Sequence, residues 1–381
     1  MRLDGHEKQG SVPSFAMSHL VSERITDFPA LQAIREDWQT LTARLPENTD
    51  FFATWDYTWV YLNFHRPANW HVVTFREPDG GTLVAVFGLQ VFQISHEGHV
   101  FWASQPLGVG YLPYIEFPIE SRVQRDVLQH LLNTVLQQEL GIELALFWPL
   151  HQGSPLYLTL VEDFGRTDLL KTLRFPGNLH EIETRGREFT SYRQTCSSKS
   201  FKYAEYVQRK LGREGSLRFT LNEPNACLPP LVETLCLQNM QKFGERHVGR
   251  NLPRWSAFIA DIASLLSALG IAQLSTLRLD ERVVASVLSF MHKRRRYLYL
   301  IDHDPEFVRF SPSKILLANL LKHTFNEGGV FCFGAGGYDY KRDWGPAVGE
   351  LKAAIVYLNP AARTVLDEHL NFNGLKALAA V

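Results

Sequence analysis

The chain has 381 residues, and its 39 Lys and Arg residues almost balance its 40 Asp and Glu residues, which gives a formal net charge of −1. A chain with so small a net charge has no overall field that would collect nucleic acid or anionic membrane, so any such binding would have to be local. With 45% hydrophobic and 21% charged residues, the composition excludes a disordered or collagen-like chain. The length suits two domains better than one core.

Cysteine usage and the lack of a long apolar run predict a cytoplasmic protein. The four cysteines are scattered, without a C-x-x-C pair or a histidine at the spacing of a zinc site. We therefore predict no metal site, no disulfide scaffold and packing roles for all four. Residues 1–17 lack the apolar core of a signal peptide, and no run reaches the roughly 18 apolar residues of a membrane helix, so we expect no membrane span.

The first half of the chain alternates strand-like and helix-like segments. Residues 1–18 offer little to bury and are predicted to be mobile. An amphipathic helix is predicted over residues 28–45. The aromatic residues of 51–59 are typical of a ligand cleft or, as we favour, of a second-layer core helix. Three strands, a loop, a helix and a buried strand are predicted next, at residues 70–76, 83–94, 99–103, 105–120, 122–139 and 142–148.

The second half repeats that order, which we interpret as two copies of one structural unit. Between the copies, residues 173–187 are mixed and polar, and residues 191–213 are predicted to form a long basic helix. Such a helix can hold RNA, a nucleotide phosphate or an anionic polymer, although a solvated face is the commoner role. The other helices and the repeated strands, loop, helix and strand are predicted at residues 227–244, 256–269, 271–279, 282–292, 296–302, 302–306, 311–327 and 330–333.

The helix start at Ser311-Pro312-Ser313-Lys314 is the main candidate for an anion site. Ser311 suits the N-cap and Pro312 suits the first helical position. The unpaired N–H groups and the dipole of a helix start attract anions such as a pyrophosphate, and Lys314 adds a positive charge. A capped helix with nothing bound is the simpler reading of this motif alone. Because residues 105–111 of the first copy offer no comparable cap, the second copy is the better candidate for binding a cofactor.

The glycines at positions 334, 336 and 337 do not form a nucleotide-binding motif. Asp339 occupies the third glycine position of a G-x-G-x-x-G fingerprint, and the polar, aromatic residues 338–344 do not predict the helix that should follow. No G-K-[ST] tripeptide of a P-loop is present either. We expect these glycines to let the backbone turn sharply or approach a ligand.

Candidates for acid–base chemistry follow the strands of the second copy. Asp302 and His303 lie where a predicted strand ends, and such residues can act as a general base toward an amine, although they are also common in turns. Tyr340, after the last predicted strand, can protonate a leaving thiolate or simply pack against the core.

Several motifs in order resemble the CelD-type branch of the GNAT acyltransferase superfamily, which is related to the Fem-type peptidoglycan aminoacyltransferases. The aromatic residues 51–59 and the basic helix are also similar to that pattern. The likeness spans roughly residues 45–345 and is strongest in the second half. The motifs are Val284-Ala285 after a D-E turn, Asp304-Pro305, Ser311-Pro312-x-Lys314-x-Leu316-Leu317 and Tyr340-Lys341-Arg342-x-Trp344.

The resemblance implies an α/β (α+β) fold of two fused GNAT-like domains, each a central mixed sheet flanked by helices. We place the N-terminal domain, a degenerate copy, at residues 19–185 and the C-terminal domain at residues 186–381. The resemblance also implies acetyl-CoA or another acyl-CoA as co-substrate and a small amine or amino-sugar acceptor, in cell-envelope or polysaccharide biosynthesis. The residues expected to bind CoA are Ser311, Pro312, Ser313, Lys314 and Lys341.

Two departures from the family pattern concern that CoA site. The usual GNAT phosphate loop, Q/R-x-x-G-x-G/A, is absent. Ser313 stands where this branch often has glycine, and its side chain can crowd a phosphate that is bound by the backbone.

Together these observations predict a CoA-dependent N-acyltransferase. The acyl thioester would lie between splayed strands of the second domain, polarised by backbone N–H groups, while Asp302 or His303 takes the amine proton and Tyr340 protonates the thiolate. One rival is a Fem-type transferase that uses aminoacyl-tRNA, for which the basic helix would have to contact RNA. The other rival is a non-catalytic GNAT-like binding or scaffold protein. Outside the Fem-type alternative, nucleic acid is not an expected partner.

Overall fold

The structure, a computed structural model, describes residues 20–46, 50–78, 81–243, 252–336, 339–345, 347–371 and 373–375. The predicted mobile segment 1–18 lies outside the described residues, as do two residues of the predicted polar loop, Gly337 and Tyr338. None of the helices in the described ranges combines the length and the apolarity that a bilayer crossing requires.

Twelve strands of the described chain form one mixed sheet, whose spatial order is β1-β2-β3-β4-β5-β12-β6-β11-β10-β9-β8-β7. The strands are β1 (Val21–Ile25), β2 (Trp70–Arg76), β3 (Leu83–His96), β4 (His99–Pro106), β5 (Leu144–His151), β6 (Leu170–Glu183), β7 (Leu217–Thr220), β8 (Ala272–Leu279), β9 (Arg282–His292), β10 (Arg295–His303), β11 (Val330–Gly336) and β12 (Ala347–Tyr357).

Helices cover both faces of this sheet. The side chains of successive strand residues point to opposite faces, and both faces are buried. Val72 and Leu288 belong to one core, which continues through both halves of the chain. Val73 and Val287 belong to two separate cores on the opposite face. The helices are α1 (Phe28–Ala33), α2 (Arg35–Arg44), α3 (Trp55–His65), α4 (Gln124–His130), α5 (Pro155–Phe164), α6 (Phe189–Thr195), α7 (Phe201–Leu211), α8 (Leu228–Phe243), α9 (Leu252–Ser267), α10 (Pro312–Glu327), α11 (Asp339–Trp344) and α12 (Pro360–Leu366).

The predicted internal repeat is present in the structure. Strands β2, β3 and β4 pair antiparallel, and the chain then passes through α4 and a π-helical turn, Leu131–Glu139, to β5, which lies parallel to β4. Strands β8, β9 and β10 repeat this pattern and are followed by α10 and by β11, parallel to β10. The predicted fold class, a mixed sheet flanked by helices and built from two fused GNAT-like units, is therefore confirmed.

The C-terminal strand crosses between the two predicted domains. Strand β12 pairs antiparallel with β5 on one side and with β6 on the other. Strand β6, which follows the first unit in the chain, also pairs with β11 of the second unit. The sheet is thus continuous across the predicted domain boundary at residue 185. The division of the chain into two domains at that residue stays a prediction.

Four local features differ from the sequence-based expectations. The long helix predicted over residues 191–213 is two helices, α6 and α7, because Ser197 and Ser200 make local backbone and hydroxyl bonds that compete with a continuous helix. The helix predicted over residues 28–45 breaks at Ile34 into α1 and α2. The polar stretch 173–187 supplies most of β6, and residues 339–344 form the short helix α11 rather than a loop.

Gly329 joins β6 to the start of β11, and its position leaves no room for a side chain. Its carbonyl accepts from the Thr184 N–H at 2.8 Å, and its own N–H donates to Thr184 Oγ1 at 2.8 Å. A Cβ at this residue would lie 2.1 Å from the backbone oxygen of Arg294, which cannot swing aside as a side chain can. Any substitution therefore requires the backbone to move.

We expect Gly329→Ala to lower the free energy of unfolding by about 1–3 kcal/mol, measured by urea denaturation. Gly345→Ala is the matched control, because a Cβ there meets the Ile182 side chain at an ordinary 3.4 Å. Equal losses for the two variants would contradict the proposed clash.

Candidate active site

A cleft opens where β10 and β11 separate. The two parallel strands pair only at Arg295–Tyr297 with Val330–Cys332, and each then departs from regular register, β10 between Leu298 and Leu300 and β11 between Cys332 and Ala335. Beyond this point lies a cavity of about 410 Å³. Its walls come from β10 (297–301), β11 (333–335), the loop 110–113 of the first half, and the side chains of Phe52, Asn239, Lys242, Trp255, Tyr340 and Lys341.

The first half of the chain closes one side of this cleft through the loop that follows β4. The Tyr299 hydroxyl donates to the backbone oxygen of Tyr111 at 3.2 Å. Gly110 has φ +93°, in the left-handed region that favours glycine, so the loop turns sharply where it meets the cleft. From the sequence, this loop was noted only for its lack of a helix cap. Its glycines, Gly108 and Gly110, were the available signal of a sharp turn.

Lys341, on α11, is a buried cation in the cleft wall. Only 3% of its surface is exposed, and its Nζ donates to the carbonyl oxygens of Gly334 at 3.2 Å and Ala335 at 2.7 Å. Burial lowers the pKa of its ammonium group to about 8, against a smaller opposing effect of Cys332. The charge thus tethers the irregular part of β11 to α11, where Tyr340 also faces the cleft.

Asp302 is buried and its charge is already balanced. Its carboxylate accepts from Asn239 Nδ2 at 3.4 Å, from Lys242 Nζ at 3.2 Å and from the His303 N–H at 3.0 Å. Asn239 and Lys242 lie on α8 and line the cleft, and neither residue belongs to a motif that could be recognised in the sequence. The oxygens of this carboxylate are therefore already engaged by donors from α8 and from the backbone.

His303 lies beside Asp302 but contacts the start of α10. Its Nδ1 is 2.8 Å from Ser313 Oγ and 3.5 Å from Asp302 Oδ1. Burial lowers the pKa of this imidazole, the nearby Lys242 lowers it further, and Asp302 and Asp304 oppose both effects. The ring is therefore neutral at pH 7 and can accept a proton.

The start of α10 has the predicted position but not the predicted cap. Ser311 precedes the helix in a left-handed conformation, φ 47°, and its side chain makes no capping bond; its Oγ lies 3.4 Å from the Tyr203 hydroxyl. The backbone conformation turns the hydroxyl away from the helix N–H groups, so the predicted side-chain cap is wrong. Pro312 does occupy the first helical position and is buried.

Lys314 connects the start of α10 to two other elements. Its Nζ donates to the backbone oxygen of Lys199 at 2.9 Å and lies 3.3 Å from Asp343 Oδ2 on α11. An anion at this helix start would share the Lys314 charge with Asp343. The structure thus brings the predicted residues of β10, α10 and α11 into one neighbourhood, although only Tyr340 and Lys341 among them line the cleft.

A buried acidic cluster lies behind the cleft, and sequence reasoning missed it because its members come from distant segments. The Asp50 N–H donates to Glu116 Oε2 at 3.2 Å. Burial raises the pKa of the Asp50 carboxyl to about 7 and that of the Glu116 carboxyl to about 8, with Arg295 opposing both shifts. Arg295 is itself ion-paired with Glu181. The groups that complete the cluster are Tyr114, Tyr297 and Cys332.

Comparison with known proteins identifies the fold and one domain. Residues 198–342 match the family model of the acetyltransferase (GNAT) domain. The crystal structure of FemX is similar over 90% of this chain and 99% of its own, with 10% identity and a TM-score of 0.59. The C-terminal domain of a proposed lysylphosphatidylglycerol synthetase from Agrobacterium fabrum is similar over 92% of this chain and 96% of its own, with 15% identity and a TM-score of 0.51.

No curated protein matches this sequence. At such low identities the two solved structures show a shared fold and nothing about substrates. Together with the domain match, they support a GNAT-fold acyltransferase.

Proposed function

We propose that the protein is a cytoplasmic N-acyltransferase of the CelD-type branch, which takes its acyl group from acyl-CoA and passes it to a small amine or amino-sugar acceptor. The observation that carries the proposal is the separation of β10 from β11, which opens the cleft beside the start of α10. The match of residues 198–342 to the GNAT acetyltransferase domain supports it.

The donor would lie across the start of α10 and enter the cleft. A helix of 16 residues presents N–H groups and the positive end of its dipole at its first turn, which suits a pyrophosphate. The bound thioester supplies an activated acyl carbonyl. In this proposal, peptide N–H groups of β10 beyond Tyr297, where the ladder with β11 has ended, donate to that carbonyl oxygen as charge develops on it.

Two proton transfers accompany the acyl transfer. The acceptor nitrogen attacks the carbonyl carbon, so that a C–N bond forms and the C–S bond breaks. We favour His303 over Asp302 as the group that takes the amine proton, directly or through a water, because its ring is neutral whereas Asp302 is held by Lys242. Tyr340, in the cleft wall, returns a proton to the thiolate.

Calorimetric titration with CoA tests this placement of the donor. We expect Ser313→Glu to weaken CoA binding at least about tenfold, because its carboxylate would repel the pyrophosphate at close range. A negative charge in the first helical turn favours the helix itself, so α10 should remain intact. Ser313→Gln is the matched control, since it has nearly the same shape as the glutamate without the charge, and we expect Ser313→Glu to bind CoA at least about tenfold more weakly than Ser313→Gln.

The outcomes separate the competing proposals. Unchanged CoA affinity in Ser313→Glu would contradict the pyrophosphate site at α10, and no CoA binding at millimolar concentration would contradict the acyl-CoA donor. A Fem-type donor predicts instead that aminoacyl-tRNA binds with a steep salt dependence. That affinity should then be lost when the charges of Lys199, Lys202 and Arg209, all exposed on or next to α7, are reversed.

A further inference from the structure

Two histidines and a glutamate meet on the surface beside the β3–β4 hairpin, and we propose that they bind a divalent transition-metal ion of the Zn²⁺ type. His96, Glu97 and His369 each offer one ligand atom, and these atoms all lie within 4.8 Å of one another. The ring centroids of His96 and His369 are 3.9 Å apart, and His96 Nε2 is 3.8 Å from Glu97 Oε1. The site is independent of the cleft and of the acyl transfer proposed there.

The tight turn between β3 and β4 fixes two corners of this site. Glu97 and Gly98 both have positive φ, 48° and 80°, which is the conformation of a two-residue hairpin turn. His96 is paired with His99 in the hairpin register, and Ile94 with Phe101. Since directly opposed residues share a face of the hairpin, His96 and His99 lie on the same side as Ile94 and Phe101.

The third corner comes from the segment that follows α12, and buried contacts hold it in place. Leu366 and Leu370, on either side of His369, are 1% and 4% exposed and belong to the same core as Ile94 and Phe101. The backbone on both sides of the site is therefore positioned by packing before any ion binds. Preorganisation of this kind is what a metal site of few ligands requires.

The chemistry of the donor set suits a late first-row metal. His96 Nε2 is enclosed and has no hydrogen-bond partner among the residues that the structure describes. Two imidazoles with one carboxylate suit Zn²⁺, Ni²⁺ or Cu²⁺ rather than Mg²⁺ or Ca²⁺, which prefer oxygen ligands alone. Zn–N bonds of about 2.0–2.1 Å place neighbouring tetrahedral ligands roughly 3.3 Å apart, which small rotations of these side chains reach. Water would complete the coordination.

A bound ion would tie the C-terminal segment to the β3–β4 hairpin. This matters for the fold because β12, which precedes α12 and that segment, lies between the β1–β5 part of the sheet and the rest of its strands. Sequence spacing could not reveal the site, because only folding brings His369 next to His96.

The test is calorimetric titration of the chelator-stripped, tag-free protein with ZnCl₂. We expect one equivalent to bind, and His96→Gln and His369→Gln each to weaken binding at least about tenfold, with unchanged thermal unfolding of the metal-free proteins. Co²⁺ is a second probe: the intense visible absorption of a tetrahedral Co²⁺ site should appear in the unmodified protein and disappear in His369→Gln.

His323→Gln is the matched control. His323 also contacts a carboxylate, with Nε2 2.9 Å from Glu327 Oε1, but within one helix and outside any cluster of three ligands found among the described residues. We expect its Zn²⁺ affinity to equal that of the unmodified protein. The proposal is overturned if the unmodified protein binds no Zn²⁺, if His369→Gln keeps full affinity, or if His323→Gln loses as much.

Discussion

Replacing Lys341 by methionine is expected to lower kcat/KM for acyl transfer about a hundredfold, because a shift of about 1 Å in a cleft wall that positions the reacting groups costs that much. Methionine keeps most of the length and the apolar stem of lysine, but it removes the charge and the two hydrogen bonds to Gly334 and Ala335. Those bonds hold the irregular part of β11 that forms one wall of the cleft. The measurement is thiol release from acetyl-CoA with glucosamine as acceptor.

The pH dependence of the same reaction distinguishes a cation from a base at this position. Because the pKa of Lys341 is lowered to about 8, its ammonium form predominates below that pH and is lost above it. If Lys341 acts through its positive charge, the ratio of unmodified to Lys341→Met activity should therefore fall as the pH rises through about 8. A ratio that rises instead would show that the neutral amine is the active form.

Lys352→Met is the matched control for Lys341. Its Nζ pairs with Glu350 Oε2 at 2.7 Å on β12, away from the cleft lining. We expect it to change kcat/KM less than about twofold, because a partly exposed ion pair contributes little. A hundredfold loss in both variants would mean that removing any such lysine disturbs the fold.

The order of strands and helices could be predicted because it depends on local periodicity. Alternating apolar residues identify β8, β9 and β10, and the Gly328-Gly329 pair marks the end of α10. Strand β6 was not predicted, because many of its side chains are polar. Its sequence therefore lacks the regular alternation of apolar and polar residues that is typical of a strand. Its strand conformation is set by pairing with β11 and β12, which are distant in sequence.

The candidate site could be predicted only where its residues are close in sequence. Tyr340 and Lys341 carry a recognisable motif and do line the cleft. Lys242 and Tyr111 carry none, because each enters the cleft from an element whose position depends on tertiary packing. The expected roles of Ser311 and Lys314 depended on the directions of their side chains. The left-handed backbone determines that direction at Ser311, and the ion pair with Asp343 on α11 determines it at Lys314.

The pH dependence of stability should reveal the buried acidic cluster. A carboxyl whose pKa is raised on folding keeps its proton in the folded protein at pH values where the unfolded chain has lost it. Its stabilising contribution is complete below the unfolded pKa, about 4, and is lost as the pH rises through the folded value, about 7 for Asp50 and about 8 for Glu116. The free energy of unfolding should therefore fall by a few kcal/mol between pH 5 and pH 8.

The double variant Asp50→Asn, Glu116→Gln should remove most of that fall, because the amides keep the shape and never ionise. Urea denaturation at pH 5 and pH 8 measures the difference, and Glu281→Gln, whose side chain is 93% exposed, should leave the pH dependence unchanged. Parallel pH profiles for the unmodified protein and the double variant would contradict the raised pKa values. Asp50 Oδ1 accepts from the Phe52 N–H, and Phe52 lines the cleft. Ionisation of this cluster would therefore also affect the candidate active site.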